Sequence, residues 1–181
     1  MYFRTSILLA ATCVLVSSCA PAMHAPPLET VAFVDIPRYM GKWYEIASYP
    51  TFFNSNCTAT TAEYALRDDG TVRVVNECRI GDPSGRLNRI EGTARVVDTE
   101  TNAKLTVSFS LFARGDYWII DLDEDYRWAV VGDPLRSTLF ILSRTPTLDD
   151  EVYDGILGRL LEKCYDPAYL ELTAQPTEGS P

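Results

Sequence analysis

From Thr58 to Arg144 the chain alternates apolar and polar residues in short segments, each closed by turn chemistry, and this pattern constrains its fold more than any single motif. Thr58–Leu66 runs into Arg67-Asp68-Asp69-Gly70, whose Asp-Gly supplies the positive φ of a tight turn, and Thr71–Ile80 returns from it. Asn88–Val97, Lys104–Phe112, Asp116–Leu122, Tyr126–Gly132 and Thr138–Arg144 continue the meander between Gly, Pro and Asp clusters. One parity carries Ala62, Tyr64, Val72, Val74, Asn76, Cys78, Leu105, Val107, Phe109, Tyr117, Ile119, Trp128, Val130, Phe140 and Leu142. The other carries Glu63, Arg73, Glu77, Lys104, Thr106 and Arg127. Such a period of two predicts antiparallel strands with one side in water.

A further strand opens at Gly41-Lys42-Trp43-Tyr44-Glu45, behind Asp35-Ile36-Pro37-Arg38-Tyr39-Met40, where Pro37 suits a short helical turn. Gly41 lets the backbone pass close to a neighbour, and Trp43 is placed to plug one end of a barrel. This strand and the next are either one long bent strand or two, giving seven or eight. One segment has helical spacing: Thr147 offers an N-cap, and Val152, Ile156, Leu157, Leu160 and Leu161 form a stripe ending near Cys164. Tyr169–Thr173 reads as a last short strand. A meander of this size avoids exposed edges by closing, so the expected fold is all-β: an eight-stranded antiparallel up-and-down barrel with one C-terminal helix packed outside.

Upstream, residues 1–18 read as a lipoprotein signal peptide, with Arg4, an apolar run from Ile7 to Val16 and small residues after it. Val16-Ser17-Ser18-Cys19 fits a bacterial lipobox, making Cys19 the lipidation site and first mature residue; the alternative is an ordinary cut between Ala20 and Ala25. Ala20 after the cysteine, rather than Asp, favours the outer membrane. Residues 19–33 then form a lipidated tether, 34–176 the barrel domain and 177–181 a frayed tail. The formal net charge of −9 makes nucleic acid and anionic headgroups poor partners.

Cys57, Cys78 and Cys164 remain after Cys13 and Cys19, and in an oxidising compartment one disulfide and one leftover thiol is the expected arithmetic. Cys57–Cys78, flanking a hairpin, is the first choice and Cys57–Cys164 the alternative. Parity places Cys57 opposite to Ala62 and Tyr64, so the first pairing needs a bulge near residues 56–59 or a loop end that releases the register. Metal binding is not expected, since His24 is the single histidine and no ligand spacing is present.

Gly41-Lys42-Trp43-Tyr44-Glu45, with Leu142-Ser143-Arg144-Thr145-Pro146 before a single C-terminal helix, resembles the lipocalins. Thr61-Ala62-Glu63-Tyr64-Ala65-Leu66, Asp69-Gly70-Thr71-Val72, Val74-Val75-Asn76 and Ile90-Glu91-Gly92-Thr93-Ala94 narrow it to bacterial outer-membrane lipoprotein lipocalins and the apolipoprotein D type, over about Val34 to Pro176. The resemblance implies a closed end formed by Gly41 and Trp43, with Arg144 stacked across the indole. Gly132-Asp133 stands where transport members carry Thr-Asp-Tyr, which weakens any transfer of their ligands.

If the barrel closes, its apolar parity lines a cavity, with Tyr64, Val74, Asn76, Phe109, Tyr117, Trp128 and Phe140 as ligand contacts; a solid core is the alternative for each. Asn76 is the informative one, since it needs a ligand head, a water or Tyr64 as partner. A greasy pocket with few polar groups suits a fatty acid or lysophospholipid, carried at the membrane for storage or transport. Catalysis has no support: there is no Ser/His pair, cofactor motif or activated cysteine, and the acidic run of Asp121 and Asp123-Glu124-Asp125 reads as a solvated loop. The rival reading is a non-ligand-binding envelope interaction module, for which outward Ile120 and Leu122 are mild support unless they lie under the helix. A homodimer through one barrel face stays open.

Overall fold

A computed structural model describes residues 25–51, 54–110 and 113–176. Helix α1 (Ile36–Tyr39) leads into β1 (Gly41–Ser48), followed by β2 (Cys57–Leu66), β3 (Val72–Ile80), β4 (Leu87–Val96), β5 (Lys104–Ser108), β6 (Arg114–Leu122), β7 (Trp128–Gly132) and β8 (Leu139–Ser143). Helix α2 (Asp150–Glu162), a 3-10 turn at Pro167–Tyr169 and β9 (Glu171–Leu172) complete the chain. Neighbouring strands pair antiparallel from β2 to β8, and β1 pairs with both β8 and β2, which closes an eight-stranded barrel. β1 and β2 are therefore separate strands. The signal segment 1–18, Cys19 and the tail 177–181 lie outside the described residues.

Two apolar clusters sit on opposite faces of the same sheet. Inside the barrel are Val34, Tyr39, Trp43, Tyr64, Val74 and Ile119 among others. Outside it, Ile156 and Leu160 of α2 pack on Ile120, Val130, Leu139 and Ile141. The helix is capped by Asp149, whose carboxylate accepts from Glu151 N, two residues later than the Thr147 cap read from the sequence. Ile120 thus lies under the helix, while a register shift between Ile119 and Asp121 turns Leu122 into the inner cluster.

Pairing in β7 inverts the expected parity. Ala129 and Val131 face the interior, whereas Trp128 and Val130 belong to the layer beneath α2. The physical cause is that this strand is covered on both sides, so no wet face marks the alternation. Size misleads there, because the inner position takes the small Ala129 and the outer one the large Trp128.

Segment 19–33, expected as a tether, is docked from Pro26 onward. Leu28 is buried in the outer cluster, Pro26 O accepts from Arg136 Nη2, and Val31 N donates to Ile119 O. Val34 is fully buried and bonds across the barrel end to Thr101 O.

Cys57 and Cys78 form a disulfide. The parity conflict is resolved by an irregularity of β2 between Thr58 and Thr61, with Asn56 and Ala59 at positive φ. Cys164, expected as a leftover thiol, is not free either.

Candidate functional site

The closed end is built around one stacked pair. Trp43 is fully buried, and the Arg144 guanidinium lies 3.7 Å from its ring centre. Arg144 Nη1 donates to Lys42 O at 3.0 Å, Nη2 to Arg38 O at 2.8 Å, and Trp43 Nε1 to Tyr39 O at 2.9 Å. Gly41, at φ +94°, fits this corner because a Cβ would be both strained and 3.4 Å from Arg144 Nη1. One arginine therefore ties α1 and the start of β1 to the end of β8.

Above the tryptophan stand three tyrosines from three elements. Tyr117 Oη of β6 meets Tyr39 Oη of α1 at 2.8 Å and Tyr64 Oη of β2 at 2.9 Å. Burial pushes the phenols of Tyr39 and Tyr117 well up and Tyr64 to about 12, so all three stay neutral. They border an internal cavity of about 10 Å³, otherwise lined by apolar side chains such as Met40, Val72, Leu105 and Ile119. That is room for roughly one water. Tyr64 and Tyr117 are among the expected ligand contacts, and Val72, Leu105 and Ile119 stand on the parity expected to face inward; Tyr39 was not singled out, and its spacing four residues before Trp43 was the available signal.

Away from the sealed end, Val74, Phe109 and Phe140 continue the inner cluster with Tyr64 and Tyr117. Phe109 lies against Gly92, where a Cβ would come within 2.7 Å of the Phe109 ring. Asn76 stands opposite Ala62 and Ile90, and its Oδ1 is buried with no hydrogen-bond partner. Six of the seven expected contact residues thus share this inner wall. Trp128 does not: it packs outside, with Arg159 of α2 5.2 Å from its ring centre.

The seam between β1 and β2 carries a polar group that the sequence reading passed over. Their pairing ends at Tyr44 and Thr61, and the C-terminal residues fill the gap beyond. Thr173 N donates to Ile46 O, Ala59 N to Ala174 O, and Gln175 Nε2 to both Glu45 O at 2.8 Å and Thr60 O at 2.9 Å. Glu45 is buried at 6% exposure, its Oε1 accepting from Thr173 Oγ1 and Ser48 Oγ. Burial raises its carboxyl pKa above the ordinary value, and the two hydroxyls offset that only in part. Glu45 repeats the parity of Trp43, which was the signal that it leaves the solvent face.

The acidic run is not a solvated loop throughout. Asp123 is buried and held by Arg127 at 2.7 Å and 2.8 Å, and Asp121 pairs with Arg159 at 2.6 Å. Among the described residues no cluster of His, Cys, Asp or Glu is placed to hold a metal ion, and no helix is long and apolar enough to cross a membrane.

Comparison with known proteins agrees with this architecture. The model of the lipocalin-like domain matches residues 34–175. Temperature-induced lipocalin-1 of Arabidopsis thaliana is 40% identical over 157 residues, covering 82% of this chain and 83% of its own. The outer membrane lipoprotein Blc of Escherichia coli K12 is 38% identical over 162 residues, covering 90% and 91%. Insecticyanin from the tobacco hornworm Manduca sexta superposes with a TM-score of 0.68 at 20% identity, covering 86% of this chain and 87% of its own. The sealed barrel end, the strand order and these matches together establish that the chain belongs to the lipocalin family.

Proposed function

We propose that this protein is a membrane-anchored carrier of a small hydrophobic ligand, a fatty acid or lysophospholipid, stored or moved for upkeep of the cell envelope. The observation that carries this reading is the inner wall itself: a barrel plugged at one end by Trp43 and Arg144, with Val74, Asn76, Phe109 and Phe140 along its inner wall toward the other. A buried amide oxygen without a partner on an apolar wall favours a ligand that brings polarity with it. Binding, rather than catalysis, is the activity proposed, in keeping with the lipocalin-like domain that the chain matches. Lipidation at Cys19 and an outer-membrane location are supported by the lipobox and by the similarity to Blc, whose own name is that of an outer membrane lipoprotein.

Calorimetric titration of the delipidated domain with hexadecanoate and with a single-chain phospholipid tests this. Binding near micromolar concentration is expected, weakened several-fold by Phe140→Ala and unchanged by Trp128→Phe. Absence of binding by either lipid, or sensitivity at Trp128 alone, would overturn it.

A further inference from the structure

Among the described residues the buried acids are Glu45, Asp123 and Asp133, and no Lys or Arg is buried. Asp123 has the Arg127 guanidinium, and Asp133 accepts from Leu135 N, Ser137 Oγ, Thr138 N and Thr138 Oγ1. Glu45 has two hydroxyls, Ser48 and Thr173, and no cation. A carboxylate withdrawn from water without a countercharge is costly, and its protonation or a cationic partner relieves that cost.

The surroundings of Glu45 hold unpaired polar atoms as well. Thr60 Oγ1, Asn76 Oδ1 and Gln175 Oε1 are buried without a hydrogen-bond partner. Gln175 bonds the backbone carbonyls of both Glu45 and Thr60, and Thr60 lies two residues before Ala62, the cross-strand neighbour of Asn76. One acid and three unpaired oxygens therefore belong to adjoining elements, β1, β2, β3 and the C-terminal segment.

We infer that this seam is a subsite for a primary ammonium head group, carried by the same single-chain amphiphile whose tail lies along the apolar wall. The inference rests on the carrier reading above and adds the chemistry of the head. An ammonium offers three N–H donors and a positive charge, matching an excess of acceptors and one uncompensated carboxylate. A carboxylate or phosphate at this place would find the Thr60 hydroxyl as a donor but two amide oxygens and the Glu45 carboxylate against it. Residues 173–175 are part of the site rather than a passive end, because Thr173 positions the Glu45 carboxyl and Gln175 presents one of the unpaired oxygens.

The ammonium has two sources, a free long-chain amine or an ethanolamine-bearing lysophospholipid, and calorimetry separates them. Hexadecylamine is compared with hexadecyltrimethylammonium, and lysophosphatidylethanolamine with lysophosphatidylcholine, all below micelle-forming concentrations. The N–H-bearing member of at least one pair is expected to bind about tenfold tighter, the pair that shows it naming the source. Thr60→Val and Glu45→Gln, each checked for an intact thermal transition, are expected to shrink that ratio several-fold without weakening hexadecanoate binding. Equal affinity within both pairs, or a preference that both variants leave intact, overturns the inference while binding of the chains survives. Failure of every amphiphile to bind overturns the carrier reading with it.

Discussion

The Arg144 guanidinium lies over Trp43, at 3.7 Å from the ring centre, and donates at the same time to the carbonyls of Arg38 and Lys42. Stacking and bidentate donation are combined in one side chain, a geometry open to a planar guanidinium and closed to an ammonium.

Arg144→Lys therefore behaves as a loss rather than a conservative change. It is expected to destabilise the fold by about 2 kcal/mol, from a stack worth about 0.5–2 kcal/mol and two carbonyl bonds. Urea denaturation followed by tryptophan emission measures this, and a midpoint within error of the parent would contradict it.

The tyrosine cluster predicts an asymmetry between two changes of identical chemistry. Tyr64→Phe removes one contact and leaves Tyr117 paired with Tyr39, at a cost of about 1 kcal/mol. Tyr117→Phe removes both contacts and strands two buried hydroxyls, at about 2–4 kcal/mol. Equal losses in denaturation experiments would show that the central position of Tyr117 has no energetic meaning.

Glu45 sets a pH dependence whose sign follows from its raised pKa. Above the ordinary carboxyl value the unfolded chain has released this proton while the native state still holds it, so stability falls as pH rises through that window. The whole penalty is present once pH exceeds the native pKa. Glu45→Gln, which keeps an acceptor for Ser48 and Thr173, is expected to flatten that fall and to be no less stable than the parent near neutrality. Denaturation midpoints taken from about pH 4 to pH 8 measure this; a parent whose stability rises across the range would refute it.

The alternation in the sequence was legible wherever one face of a strand is wet. Tyr64, Val74 and Phe109 could be placed on the inner wall because Glu63, Arg73 and Ser108 mark the other side. It failed at Trp128 because α2 covers the face that water would otherwise have marked. The bulge at Ala59 was readable from the conflict between the Cys57 parity and the Cys78 pairing, a case where covalent chemistry exposes a backbone irregularity. For Glu45 the parity shared with Trp43 signals burial but not the partners that meet it. Its partners Thr173 and Gln175 stand 128 and 130 positions away, and no local pattern reports a contact at that distance.

Those separations also bear on when the barrel can exist. β1 leaves the ribosome among the first ordered elements, yet its neighbour β8 is the last of the eight barrel strands to be synthesised, and the seam-filling residues 171–175 follow later still. The wall has no stable edge on which to close until nearly the whole polypeptide is available, because the loop-closure entropy precedes the contacts that offset it. A nascent chain of this topology therefore stays open for most of its own synthesis.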